Sequence, residues 1–179
     1  MTLIGAYDRT MRRTALGFVL ILATLAAPTQ ARADGLFSLH SFFLDARAHV
    51  FLDSDVREGA GFPTGIDAEV QFDVVHNLEL YATTGFLYGV AGDITNFYIP
   101  FVGGAVYLFS EGSKTPFVGA GLGALIAHLD DDTNFKGTLE VHGGYQTSSF
   151  RLKLGLQFFD NAELSESATV FASLGFDLM

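Results

Sequence analysis

Charged side chains recur at every second position in several short stretches of this chain, and that spacing limits what they can do. Asp45, Arg47 and His49 alternate with Ala46, Ala48 and Val50. Asp67, Glu69 and Asp73 share a phase opposite to Ile66, Ala68, Val70 and Phe72. Arg151 and Lys153 alternate with Leu152 and Leu154. Successive side chains of an extended strand point to opposite faces, so each run gathers its charges on one face. Glu79, Lys136, Glu140, His142 and Asp177 occupy comparable positions in other segments. If the apolar faces look outward, these acids, these bases and both histidines meet in one enclosed interior. Unpaired buried charge is expensive, so they should neutralise one another. Two chemistries fit, an ion or proton path and a plug of paired side chains. The plug is expected, because a narrow eight-stranded barrel is filled by its own side chains.

A second group of carboxylates falls between the alternating stretches. Asp53, Asp55, Glu58, Asp93, Asp130, Asp131, Asp132, Asp160, Glu163 and Glu166 face a single base, Arg57, in the segments expected to form one rim. Such a rim is either solvated acidity or a place for hard divalent cations, which take oxygen ligands. Asp130-Asp131-Asp132-Thr133-Asn134 has the closest spacing but lacks the glycine and the twelfth-position glutamate of an EF-hand loop. Calcium or magnesium held loosely there is the only cofactor chemistry expected. Nucleophilic catalysis finds less support. His40 and Ser41 are sequence neighbours on opposite strand faces, and His128, Ser165 and Ser167 lie in separate segments with nothing to fix them together. The expectation is a non-enzyme. Gly119, Gly121 and Gly123 alternate within a strand, where glycine signals close packing or curvature and not a phosphate loop.

The elements that must position these groups read as eight strands. Four alternate clearly, over 41–52, 66–74, 150–158 and 169–178. Four weaker ones run Leu78–Ala91, Thr95–Phe109, Thr115–His128 and Phe135–Gln146. Each is long enough for the roughly 9–11 tilted residues with which a barrel strand crosses a bilayer. The links at 75–77, 110–114 and 147–149 are tight, whereas 53–64 and 161–167 are longer. That is the asymmetry expected of an up-and-down meander with short turns at one end and loops at the other. The links at 92–94 and 130–134 are short for the loop end.

The first 33 residues are read separately. Arg9, Arg12 and Arg13 precede an apolar run of 13 residues from Ala15 to Ala27, Pro28 ends it, and Ala31-Arg32-Ala33 supplies small residues for cleavage. The run is short of the roughly 20 residues of a spanning helix and fits an export signal removed after Ala33. Met11 stands immediately before Arg12-Arg13 as an alternative start. The remaining 146 residues make one domain and carry 19 acids against 6 bases, a net charge of −13, which disfavours a nucleic-acid partner. The chain has no cysteine, hence neither disulfides nor a lipid-modified cysteine.

Alternation alone also suits a soluble carrier barrel with apolar residues inward. The membrane orientation is preferred on three grounds: a lysine-poor, glycine- and serine-rich polar face, an apolar strand continuing to the last residues, and aromatics near strand ends. Those aromatics are Tyr88, Tyr98, Tyr107, Tyr145, Phe158 and Phe176, where membrane barrels place interfacial girdles.

Three phrases, Gly65–Val70, His76–Tyr81 and Thr115–Gly123, resemble the repeating hairpins of small outer-membrane barrels of the OmpA transmembrane-domain, OmpX and OmpW types. The resemblance covers most of the chain after residue 33 and is one of style, without a specific motif. It implies an all-β, eight-stranded antiparallel barrel in the outer membrane of a Gram-negative-type bacterium, in contact with outer-membrane lipid and lipopolysaccharide. It also implies a monomer inserted by the barrel-assembly machinery, with a structural, envelope-integrity or surface-interaction role. A lipid-modifying enzyme and a soluble periplasmic carrier of apolar ligands are the alternatives. Two departures are visible. No peptidoglycan-binding domain is expected after the last strand, and Phe176-Asp177-Leu178-Met179 ends in Met where those families end in an aromatic residue.

Overall fold

The computed structural model describes residues 38–179 apart from 92, 93, 111–113, 130, 131 and 161. The expected signal segment, residues 1–33, and three acids of the expected rim, Asp93, Asp130 and Asp131, lie outside the described residues.

Eight antiparallel strands close into a barrel in simple sequence order. They are β1 (Ser38–Phe51), β2 (Thr64–Val75), β3 (Leu78–Ala91), β4 (Ile94–Leu108), β5 (Lys114–Leu129), β6 (Asp132–Thr147), β7 (Phe150–Phe158) and β8 (Ala168–Asp177). Closure comes from β1 against β8, in a register running from Phe43 opposite Asp177 to Phe51 opposite Thr169. A closed sheet leaves no unpaired edge, which is what a strand-built membrane span requires. Among the described residues no helix is long and apolar enough to cross a membrane.

The two ends differ. At the turn end β2 passes to β3 through His76-Asn77, with Asn77 at φ 61°, the left-handed region that asparagine tolerates better than most residues. At the loop end the 53–64 link, read from sequence as a plain loop, contains a helix, α1 (Ser54–Ala60). Its ends explain it. Asp53 caps the N-terminus through hydrogen bonds accepted from the Asp55 and Val56 amides. Gly61, at φ 73°, ends the helix, and its N–H donates to the Arg57 carbonyl at 2.9 Å. A second short helix, α2 (Leu164–Ser167), precedes β8.

The faces fall as the alternation implied. Leu152, Leu154 and Leu174 are 50, 66 and 40% exposed, whereas Glu69 and Lys153 are 0 and 1% exposed. Ile66, Phe86, Leu122, Val141 and Phe176 extend the outward apolar surface. A water-soluble carrier would show the reverse. Of the expected aromatic girdle, Tyr88, Tyr107, Tyr145 and Phe176 are exposed and Phe158 is half-buried, but Tyr98 is buried. Its position in β4 puts it in phase with the lumen side, where it joins an apolar cluster.

An arginine on the outward face at mid-strand should therefore be costly in lipid. Leu154→Arg is expected to lower the unfolding free energy of the bilayer-inserted barrel by about 2–4 kcal/mol. Leu164→Arg, in α2 beyond the strands, should change it by no more than about 0.5 kcal/mol. Denaturant titration in vesicles measures both.

Candidate functional site

The lumen is filled in layers. Toward the loop end lies an apolar cluster of Phe51, Ala60, Leu87, Tyr98, Leu125, Ala127 and Phe159, with Val56 and Leu129 packed against it. Ala60 and Val56 come from α1, so the helix covers this mouth. Nearer the turn end a smaller cluster joins Tyr81, Val102, Val106 and Phe117. Charge is therefore only part of the filling, and apolar residues on the inward phase supply the rest.

The charged layer is one connected set. Arg151 of β7 pairs with Asp45 of β1 and with Glu69 of β2. Lys153 Nζ donates to Glu69 Oε2 at 2.9 Å and lies 3.7 Å from Asp45 Oδ2. Arg47 Nε lies 2.6 Å from Asp67 Oδ2, and Arg47 Nη1 donates to Glu140 Oε2 at 2.8 Å. Glu140 Oε1 in turn lies 2.8 Å from His142 Nδ1. Neutral groups extend the set: Gln71 Nε2 donates to Glu69 Oε1 at 3.0 Å, and Gln157 Nε2 donates to Thr138 Oγ1 at 3.2 Å. Both guanidiniums also lie over aromatic rings, Arg47 at 4.4 Å from the Phe171 centroid and Arg151 at 3.9 Å from that of Phe43.

Strand register explains why the set is mixed in sign. Asp45 and Asp67 stand directly opposite each other on β1 and β2, and like charges in that position repel. Arg151, reaching from β7, and Arg47, two residues along β1, neutralise them. Glycine supplies the room. A Cβ on Gly175 would collide with the Asp45 carboxylate and one on Gly85 with that of Asp67. In β5 a Cβ on Gly121 would strike the Tyr81 hydroxyl, and one on Gly123 the Phe101 carbonyl. Among the described residues His49 accompanies this layer without an ion pair of its own. Its Nδ1 is 3.1 Å from Thr169 Oγ1 and its ring packs against Phe159 and Phe171.

Three residues expected in the lumen network sit elsewhere. Lys136 lies at the loop end of β6, where Nζ donates to Asp160 Oδ2 at 2.7 Å. Asp73 lies at the turn end, 51% exposed, near Ser38 and His40. Asp177 also lines the turn-end mouth, and its Oδ1 accepts from the Met179 amide at 3.1 Å. The common cause is strand length. Alternation specifies the face of a residue but not its height, and these three occupy strand ends. Glu79 keeps the lumen phase and is buried, but it belongs to the turn-end mouth with Asp73.

The expected cation rim is divided among several tasks. Asp53 is occupied as the α1 cap. Asp160 pairs with Lys136 and accepts from the Ala162 amide at 2.9 Å, and the lysine hydrogen bond, aided by that amide, holds its carboxyl below the usual range. Asp55, Glu58, Asp132, Glu163 and Glu166 are exposed. Residues of both α1 and α2 line a small loop-end cavity of about 140 Å³ with Lys136 and Asp160 at its edge. His128, considered for catalysis, has Nδ1 2.8 Å from Thr133 Oγ1 and its ring stacked on Phe97. Ser167 Oγ donates to the Asp160 carbonyl at 2.7 Å.

No family model and no curated protein matches the chain. Solved structures do. Neisserial surface protein A superposes with a TM-score of 0.53 at 13% identity, covering 80% of this chain and 95% of that one. The N-terminal β-barrel domain of Pseudomonas aeruginosa OprF gives 0.51 at 14% identity, covering 79 and 100%. The outer membrane enzyme PagL gives 0.48 at 16% identity, covering 75 and 99%. This chain has the fold of the small eight-stranded outer-membrane barrels.

Removing one partner of a fully buried ion pair leaves the other charge uncompensated. Arg151→Met should destabilise the folded barrel by about 3–5 kcal/mol, and adding Asp45→Asn should recover a large part of that loss while leaving the Glu69–Lys153 pair intact. Urea unfolding in detergent measures the cycle. At the loop end, the depressed Asp160 carboxyl contributes stability that is present at neutral pH and lost as acidification passes through its lowered pKa. Lys136→Met should raise that titration toward the ordinary aspartate range, read from the Asp160 carboxyl carbon by NMR.

Proposed function

We propose that the chain is an exported protein, cleaved after Ala33 and inserted by the barrel-assembly machinery as a monomer in the outer membrane of a Gram-negative-type bacterium. Its role there is structural, in envelope integrity or surface interaction, and not catalytic. The observation that carries this reading is the inversion of faces: aliphatic and aromatic side chains cover the outside of a closed sheet while Arg47, Arg151, Lys153 and their carboxylate partners are buried inside. An outward apolar surface needs hydrocarbon around it, and buried ion pairs spanning the lumen support a plugged barrel over a conducting one.

The exposed acids Asp55, Glu58, Asp132, Glu163 and Glu166 support a contact role for the loop end. Carboxylates beside an anionic lipid surface repel it unless a divalent cation lies between, so calcium or magnesium bridging to lipopolysaccharide phosphates is the chemistry that suits this rim. The binding would be weak and shared among several carboxylates, since Asp53 and Asp160 already hold intramolecular partners.

A barrel closed in this way should insert without conducting. Purified protein in planar bilayers is expected to show no steady single-channel current, and on unheated gels it should migrate faster than the boiled form. A stable open-channel conductance would overturn the closed-lumen reading. Absence of a heat-dependent shift, together with recovery in the soluble periplasmic fraction, would overturn the membrane assignment.

A further inference from the structure

We infer that the turn-end mouth of the barrel is a binding site for one divalent metal ion of the zinc type, held by His40, Asp73 and Glu79. One nitrogen or carboxylate oxygen from each of these residues can be chosen so that all three atoms lie within 4.8 Å of one another. His40 Nδ1 is 3.2 Å from Asp73 Oδ2, and His40 Nε2 is 3.6 Å from Glu79 Oε1. Tetrahedral zinc, with bonds of about 2.0–2.2 Å to nitrogen and oxygen, spaces its ligand atoms by roughly 3.3 Å. These two distances start from opposite ring nitrogens, so the imidazole must turn to bring a single nitrogen within reach of both carboxylates. One imidazole and two carboxylates suit a borderline ion of this kind better than calcium, which takes oxygen alone.

Sheet geometry at this point is unusual in a way that serves the site. Asp73 and Glu79 are directly opposed on β2 and β3, a like-charge pair that destabilises a sheet unless something neutralises it. The comparable pair deeper in the lumen, Asp45 and Asp67, has arginines. This one does not. The turn-end cavity, about 440 Å³, is lined by Asp73, Glu79 and Asp177, and among the described residues no lysine or arginine lines it. Register shifts flank the pair on both sides, leaving His40 as an extra residue of β1 against β2 and Val74 as an extra residue of β2 against β3. Bulges re-aim side chains, and the first of these brings the His40 ring to both carboxylates.

An independent observation points to a ligand. Glu79 is 2% exposed, yet its Oε2 has no hydrogen-bond partner among the described residues, and the side chain lines the cavity. Gln146 of β6, which lines the same cavity, has a buried Oε1 in the same condition. A buried carboxylate oxygen without a donor costs free energy that a metal bond removes. Three protein ligands and an adjoining cavity leave the remaining coordination position to water or to a small anion entering from the turn side.

The test uses tag-free protein residues 34–179, refolded in detergent and checked for heat-modifiable folding. Equilibrium dialysis followed by elemental analysis should find one zinc ion per chain, and cobalt in its place should give visible ligand-field bands. Glu79→Gln and Asp73→Asn, the latter at a half-exposed position that leaves folding intact, should each weaken zinc binding at least about tenfold. His40→Ala should weaken it similarly and shift the cobalt bands. Ser54→Ala and Thr95→Ala, exposed at the opposite end, should leave affinity unchanged. Failure of the folded wild-type protein to retain stoichiometric zinc at micromolar free ion overturns the site. So does zinc held with unchanged affinity by folded Asp73→Asn and His40→Ala.

Discussion

Everything in this barrel depends on neutralising charge on side chains that its wall buries away from solvent. Among the described residues the fully buried bases are Arg47, Arg151 and Lys153, set against Asp45, Asp67, Glu69 and Glu140 in the same layer. Three cations face four anions there, and His142 Nδ1 lies 2.8 Å from Glu140 Oε1 on the side away from Arg47. The layer is cross-linked between strands far apart in sequence, β1 and β2 to β6 and β7. Its pairing therefore specifies how the barrel closes as well as what fills it. Bulky apolar filling alone would tolerate slippage of one strand against another. A slip of one residue would turn each of these charges outward toward the apolar surroundings that the outer face requires.

The lumen is polarised along its length. The loop end is sealed by an apolar cluster under α1, while the turn end opens into a cavity lined by polar residues and three carboxylates. The charged layer between them is covered on the loop side by this apolar cluster, which includes the Tyr98 hydroxyl.

Much of the architecture was legible in the alternation. The β3 and β7 boundaries coincide with those read from sequence, and the other strands differ by a few residues at their ends. Which face points outward was legible too, because so few lysines accompany so many glycines on the polar phase. The height of a side chain along its strand was not. Asp73, Asp177 and Lys136 share the inward phase with Glu69 and Arg151, yet occupy the mouths. Nothing in period-two patterning separates a residue at a strand's end from one at its middle. Helix α1 did carry a readable signal, Asp53 seven positions before Ala60 and Gly61 immediately beyond it. A short polar stretch between strong strands reads first as a loop.

The bulge at His40 shows the deepest limit of such reading. By strict alternation His40 falls on the face opposite Ser41 and Phe43, which would direct it away from the lumen. The extra residue against β2 breaks the phase, and the ring reaches both Asp73 and Glu79. No residue type announces this, since His40 is neither glycine nor proline and its neighbours are ordinary strand formers. The bulge belongs to the β1–β2 ladder alone, since the β1–β8 ladder ends at Phe43 opposite Asp177. Pairing of β1 with β2 and of β2 with β3 thus produces a side-chain constellation that none of the three strands encodes alone. Chemistry at a barrel's rim can arise where registers fail to agree, whereas the lumen, where they do agree, is left to packing and charge balance.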